Sequence, residues 1–169
     1  KEALMVIDLF NIDFNQKKIQ SALYNKIEKI YKQEFERMSE FQTLFQKLQL
    51  NVLDVFNEFP FEFNYKDSIG IQEYLKLLGL KISNNKGEII DKIFSLIDAV
   101  EYLSVAKLLI FVNLKLYLSD DELNEIYKYA MYKKVNILLI ETGEEKEPIK
   151  NEKILFVDSD YDEIVLYNK

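Results

Sequence analysis

In a chain of 169 residues, an apolar share of 49% is ample for a core, and 11 Tyr and 12 Phe with no Trp predict packing by large flat side chains. The absence of Cys and His excludes disulfides, Cys-bearing zinc sites, thiol nucleophiles and imidazole acid–base chemistry, so any catalysis would rest on carboxylates, Lys, Tyr or Ser. A net charge of −7 argues against indiscriminate nucleic-acid binding while leaving room for a local basic patch.

No apolar run approaches the roughly 20 residues of a membrane span and no signal peptide is visible, so a cytoplasmic protein with no membrane partner is expected. The first residue, Lys1, runs almost directly into a strand-like stretch, and a further N-terminal segment is expected to precede it.

The short apolar run at residues 4–7, ending in Asp8, reads as a strand of a central sheet. Asp13 or Asn15 can cap a helix that starts there. Between Asn15 and Asn57 there is no Pro or Gly, and apolar residues recur at Ile19, Leu23, Ile27, Ile30, Phe35, Met38, Phe41, Phe45, Leu48, Val52 and Phe56. Steps of three, four or five predict a long amphipathic helix, which at 1.5 Å per residue would run roughly 60 Å and must project or bend. Pro60 ends it. FEFNY at 61–65 alternates as a short strand or an extended connection, and GLKIS is expected to pair with it briefly. Asp67 or Ser68 is expected to cap a helix over IGIQEYLKLL, with Gly79 as its stop, and SNNKGE is a loop. Residues 88–103 form another helix with Ile89, Ile93, Leu96, Ile97, Val100 and Leu103 on one face, placed to lie against the long arm.

Residues 108–112 (LLIFV) and 137–140 (ILLI) are apolar throughout, as in strands of a parallel sheet buried on both faces. Between them Ser119 is placed as an N-cap, Asp120, Asp121 and Glu122 fill the first turn, and Lys133 and Lys134 the last. This is a βαβ unit. ILFVD at 154–158 and EIVLY at 163–167, joined through SDYD, read as two more strands of the sheet. The expected architecture is α/β, with sheet-forming pieces at both ends of the chain and a helical excursion between them: a head at 1–13 and 104–169, and a helical leg at 14–103.

Chemistry-bearing patterns are sparse. The strand KLLIFVN invites comparison with the Walker B strand of P-loop ATPases, but the metal-holding acid is replaced by Asn113. None of Gly70, Gly79, Gly87 and Gly143 is followed by Lys, so the phosphate loop is absent and no nucleotide is expected unless that loop precedes Lys1. SDYDE and GEEKE read as solvated turns. Glu62, Asp67 and Glu73 bracket the corner where the excursion folds back; three carboxylates that can converge suit a hard cation such as Ca²⁺, although ordinary surface acids are the commoner meaning of such a set. Lys76, Lys81 and Lys86 lie along the same corner, and Lys17 and Lys18 at the root of the arm. Such lysines suit contacts to backbone phosphate with no reading of bases.

The run AKLLIFVNLKLYLSDDELNEIYKYAMYKKVNILLIE, followed by KILFVDSDYDEIV, resembles the C-terminal part of the small type II-A CRISPR-associated adaptation proteins, the Csn-two-type family. The resemblance extends back through YKDSIGIQEYLKLLGLKI to KEALMVIDLFNIDF and so covers essentially the whole chain. It implies a degenerate P-loop-ATPase-like head sheet with an inserted helical leg domain, lacking the family's first strand-and-helix segment. It also implies a non-enzymatic, Ca²⁺-supported homotetrameric ring around double-stranded DNA ends. Such a ring would act in spacer acquisition with the CRISPR integrase proteins and the effector nuclease. The positions matching the family's calcium-binding corner are Glu62, Asp67 and Glu73, although Asn64 and Lys66 stand where relatives carry further acids. Lys17, Lys18, Lys76 and Lys81 are the candidate DNA contacts on physical grounds alone. Two other readings remain: a protein-interaction scaffold of the adaptation complex without direct DNA binding, and an ATPase whose phosphate loop precedes Lys1.

Overall fold

The computed structural model describes residues 3–83, 87–143 and 147–167; Lys86 and part of GEEKE and of SNNKGE lie outside them. The chain is mixed α/β and divides into two compact units, one of residues 1–19 and 83–169, the other of residues 20–82. Among the described residues no helix is long and apolar enough to cross a membrane.

The first unit is built on β1 (Ala3–Val6), β2 (Leu108–Val112) and β3 (Asn136–Ile140), parallel in the order β1-β2-β3. The register sets Leu4 beside Leu109 and Leu109 beside Ile137. The sheet is less buried than its apolar lettering predicts. Leu109 and Phe111 of β2 are fully enclosed, while Leu138 and Ile140 of β3 are 46% and 44% exposed. The crossover helix α5 (Asp120–Tyr132) starts as expected: the Ser119 hydroxyl accepts the Glu122 N–H at 3.4 Å, and the Glu122 carboxylate accepts the Ser119 N–H at 2.7 Å. It ends one residue earlier than the lysines suggest. Lys133 is the C-cap, and Lys134 takes a left-handed φ of 56° that turns the chain into β3.

Two expectations are corrected in this unit. Helix α4 (Ile89–Tyr102) does bury Ile93, Leu96, Ile97 and Val100, but it belongs to the sheet unit. It packs on α5, where the Phe94 and Tyr129 rings meet edge to face at 4.9 Å and Asp98 accepts from Tyr129 and pairs with Lys133, each at 2.7 Å. And β4 (Lys153–Val157) and β5 (Glu163–Tyr167) form a separate antiparallel pair instead of extending the parallel sheet. A local turn explains their pairing: the Asp158 carboxylate accepts the N–H groups of Asp160 and Asp162, and Tyr161 adopts φ 68°.

The second unit contains most of α1 (Lys17–Lys32), with α2 (Phe35–Phe56) and α3 (Ile71–Leu77). The long helix breaks at Gln33 and Glu34, where Glu34 is extended at φ −110°. The sequence carries a trace of this break, since the five-residue step from Ile30 to Phe35 falls out of helical phase. Tyr24, Ile71 and Leu75 make the buried cluster, against which Leu23, Ile27, Tyr31, Phe41 and Leu80 pack. Among the described residues FEFNY pairs with no strand, GLKIS included. Its rings lie on the end of α2, Phe63 against Phe56 at 4.5 Å and against Phe59 at 5.7 Å. Two α2 glutamines then strap the following backbone, Gln49 donating to Lys66 O at 2.8 Å and Gln42 to Ile69 O at 3.1 Å.

Candidate nucleic-acid interface and acidic corner

The acidic corner forms where the chain enters α3. The helix cap is Gly70, and neither Asp67 nor Ser68 takes that place, so Glu73 sits in the first turn of α3. One Glu73 carboxylate oxygen accepts the Gly70 N–H at 3.0 Å and the other meets the Lys66 ammonium at 2.5 Å. The hydrogen bond from Lys66, then that from Gly70, holds the Glu73 carboxyl below the usual carboxylate range. Both oxygens are thereby engaged, one of them by a positive charge.

Glu62 and Asp67 are exposed on the preceding segment. Among the described residues no group of three or more acids is placed to hold a metal ion. As arranged, Glu62, Asp67 and Glu73 do not fit a three-carboxylate cation site, because Lys66 occupies the place at Glu73 that a cation would need.

The four candidate DNA-contacting lysines are all exposed. Lys17 and Lys18 fall in the sheet unit, and Lys76 and Lys81 in the helical unit. Lys18 is partly committed, donating to the Ala3 carbonyl at 2.9 Å. Lys76 lies in the last turn of α3, where its charge complements the helix dipole.

A charged cluster that the residue pattern does not announce lies beneath the β3 and β4 strands. Glu152 is 10% exposed and meets Lys115, 17% exposed, at 2.5 Å. The Tyr127 hydroxyl donates to Glu152 at 3.1 Å, and so does the Ile149 N–H. The Lys115 N–H in turn donates to Glu141 at 3.2 Å. Burial, reinforced by the Glu152 charge, pushes the Tyr127 phenol far above its usual range and keeps it a neutral donor. The only sequence trace is that Lys115 and Glu152 closely flank apolar strand runs. No local spacing rule joins residues so far apart. Asn113, at the end of β2, takes a left-handed φ of 57° and accepts a hydrogen bond from the Thr142 hydroxyl.

A family model described as CRISPR-associated protein (Cas_Csn2) matches residues 1–161. The chain is similar to a protein named CRISPR-associated protein Csn2 from Streptococcus agalactiae, 28% identical over 146 residues that cover 83% of this chain and 63% of the relative. It is similar also to a protein of that name from Enterococcus faecalis, 29% identical over 144 residues, covering 83% and 64%. The chain thus spans just under two thirds of the length of these curated relatives.

Proposed function

The chain belongs to the Csn2 family of CRISPR-associated proteins, and from that premise we propose that it binds double-stranded DNA ends without reading sequence and without catalysing a reaction. In this reading it works as a homotetrameric ring in the cytoplasm, serving spacer acquisition in type II-A CRISPR immunity beside the integrase proteins and the effector nuclease. The observation that carries the reading is the family match over residues 1–161. The sheet unit is then a degenerate P-loop-ATPase-like head and the helical unit its inserted leg. Asn113 supports the loss of the nucleotide site, since an amide accepting from Thr142 is a poor substitute for a metal-holding carboxylate.

Lys17, Lys18, Lys76 and Lys81 are the proposed phosphate contacts. Binding built on such contacts weakens steeply with salt, because each neutralised phosphate releases counterions. Four copies of a modest patch on the inner wall of a ring reconcile this with an acidic chain. For Glu62, Asp67 and Glu73 to act together on Ca²⁺, Lys66 must first release Glu73.

A second reading, a protein-interaction scaffold of the adaptation complex, draws on α2. That helix buries none of its 22 residues, and Leu44, Leu48 and Val55 are 58%, 64% and 49% exposed.

The test is a gel shift of one plasmid, supercoiled and linearised, with Ca²⁺ or a chelator, at two salt concentrations. Selective, salt-sensitive binding of the linear form is expected from a ring threading onto ends. Equal binding of both forms would remove threading and leave a basic patch, and no binding of either would favour the scaffold. Indifference to the chelator would remove calcium alone.

A further inference from the structure

Past the end of α2, Phe59, Phe61, Phe63 and Tyr65 place four rings in seven residues. All four are open to water, by 42% to 68%. Exposed rings scattered singly are ordinary, but so many together at one helix end mark a surface that meets something.

The group is also held in shape. Phe56 lies against Phe63 at 4.5 Å and against Tyr65 at 6.4 Å, and Phe59 meets Phe63 edge to face at 5.7 Å. Pro60 restricts the turn between Phe59 and Phe61. Beyond the rings, Gln49 and Gln42 fasten the backbone at Lys66 O and Ile69 O. A surface fixed before binding loses little freedom on contact.

The charge around the rings says what the partner carries. From Asp54 to Asp67 the chain has four acids, Asp54, Glu58, Glu62 and Asp67, and one cation, Lys66, which Glu73 already holds. The four acids are exposed and enter no ion pair among the described residues. DNA phosphates would meet like charges here. So would a second copy of the chain, since a symmetric contact sets the same acids against each other. A purely apolar partner would strip water from carboxylates without pairing them. A cation suits both features, because ring faces are negative and attract positive charge laid over them. Arginine does this better than lysine: its planar guanidinium stacks on a ring while its N–H fork still holds a carboxylate.

We propose that this aromatic patch docks an arginine-bearing segment of a partner protein. The guanidinium lies on the rings of Phe59, Phe61 and Phe63 and pairs with Glu58 or Glu62, which flank those rings in the chain. The inference does not depend on DNA binding, and its failure would leave the proposed function standing.

The test titrates the whole chain with short peptides that alternate Gly with Arg, with Lys or with Glu, a chelator keeping divalent cations off the acids. The rings are followed by NMR on ring-labelled phenylalanine. The Arg peptide is expected to shift Phe59, Phe61 and Phe63 first and to bind about threefold or more tighter than the Lys peptide. The Glu peptide is expected to shift nothing. Phe61→Leu removes an exposed ring and no core contact, and should weaken the Arg peptide by about threefold. Glu62→Gln should weaken it too, more in low salt than in high. The proposal is overturned if the Arg peptide leaves these rings unmoved. It is overturned also if the Arg and Lys peptides bind equally and Phe61→Leu changes neither, which would leave only general acidity. Ring shifts on diluting the free chain would assign the patch to a second copy, and ring shifts on adding duplex DNA would assign it to nucleic acid; either result overturns the arginine partner.

Discussion

Helices α2 and α4 carry the same kind of amphipathic lettering and meet different fates. In the sheet unit α4 encloses Ile93, Leu96, Ile97 and Val100 completely, while in the helical unit α2 buries nothing. The sheet unit has a layered core in which Phe111, Leu114, Leu123 and Ile126 are enclosed. The helical unit relies on a small cluster around Tyr24, Ile71 and Leu75 and on ring contacts such as Phe41 with Tyr74 at 5.3 Å. Periodicity therefore says which face of a helix is apolar, and only the surrounding layers decide whether that face leaves water.

The largest expected effect pairs the two helices directly. Leu96→Ala, which opens a cavity in the sheet unit, should cost about 3 kcal/mol in urea denaturation, whereas Leu48→Ala on α2 should stay within about 0.5 kcal/mol. A Leu48→Ala cost near that of Leu96→Ala would mean that the outer stripe of α2 is covered in solution. Next comes the enclosed charge pair. Glu152→Gln strands the Lys115 ammonium and should cost roughly 2 to 3 kcal/mol, part of which Lys115→Met in the same chain should restore. Equal costs for the single and double variants would show that Lys115 does not depend on Glu152.

Within the helical unit, Tyr24→Phe removes the hydroxyl that donates to Leu80 O at 3.1 Å. About 1 kcal/mol should be lost in the same denaturation experiment. The smallest effect is at Glu73, whose folded-state carboxyl lies below its ordinary value of 4.5 because of Lys66 and Gly70. A depressed carboxyl contributes stability that is present above pH 4.5 and fades as the pH falls through the folded value. Lys66→Ala should move the Glu73 titration upward in a carboxyl-detected NMR experiment. An unmoved titration would mean that the pair does not persist in solution, which would also reopen the acidic corner to a cation.

Much of the fold can be read from local signals. The Ser119 and Glu122 cap, the Gly79 stop and the strands β1, β2 and β3 all sit where short-range rules put them, because each depends on neighbours a few residues away. Gly79 adopts φ 61°, and Leu80 N–H reaches Leu75 O at 3.2 Å, the closing bond expected of a helix that ends on glycine. The residue pattern misplaces the α3 cap because Asp67 and Ser68 have the usual capping side chains, while Gly70 relies on the Glu73 carboxylate instead. At the acidic corner the residues are legible but their pairing is not, since Lys66 reaches Glu73 only through the fold of the intervening turn.

The sequence by itself determined the α/β class, the parallel βαβ unit, the apolar face of each helix and the resemblance that the family match bears out. These follow from periodicity, capping chemistry and residue order, all of which are local. The tertiary structure decided that α4 joins the sheet unit, that β4 and β5 pair apart from β1, β2 and β3, and that Lys115, Glu152 and Tyr127 meet. Each is a choice among partners distant in the chain, settled by which surfaces can be buried together, and no residue pattern along one segment records that choice.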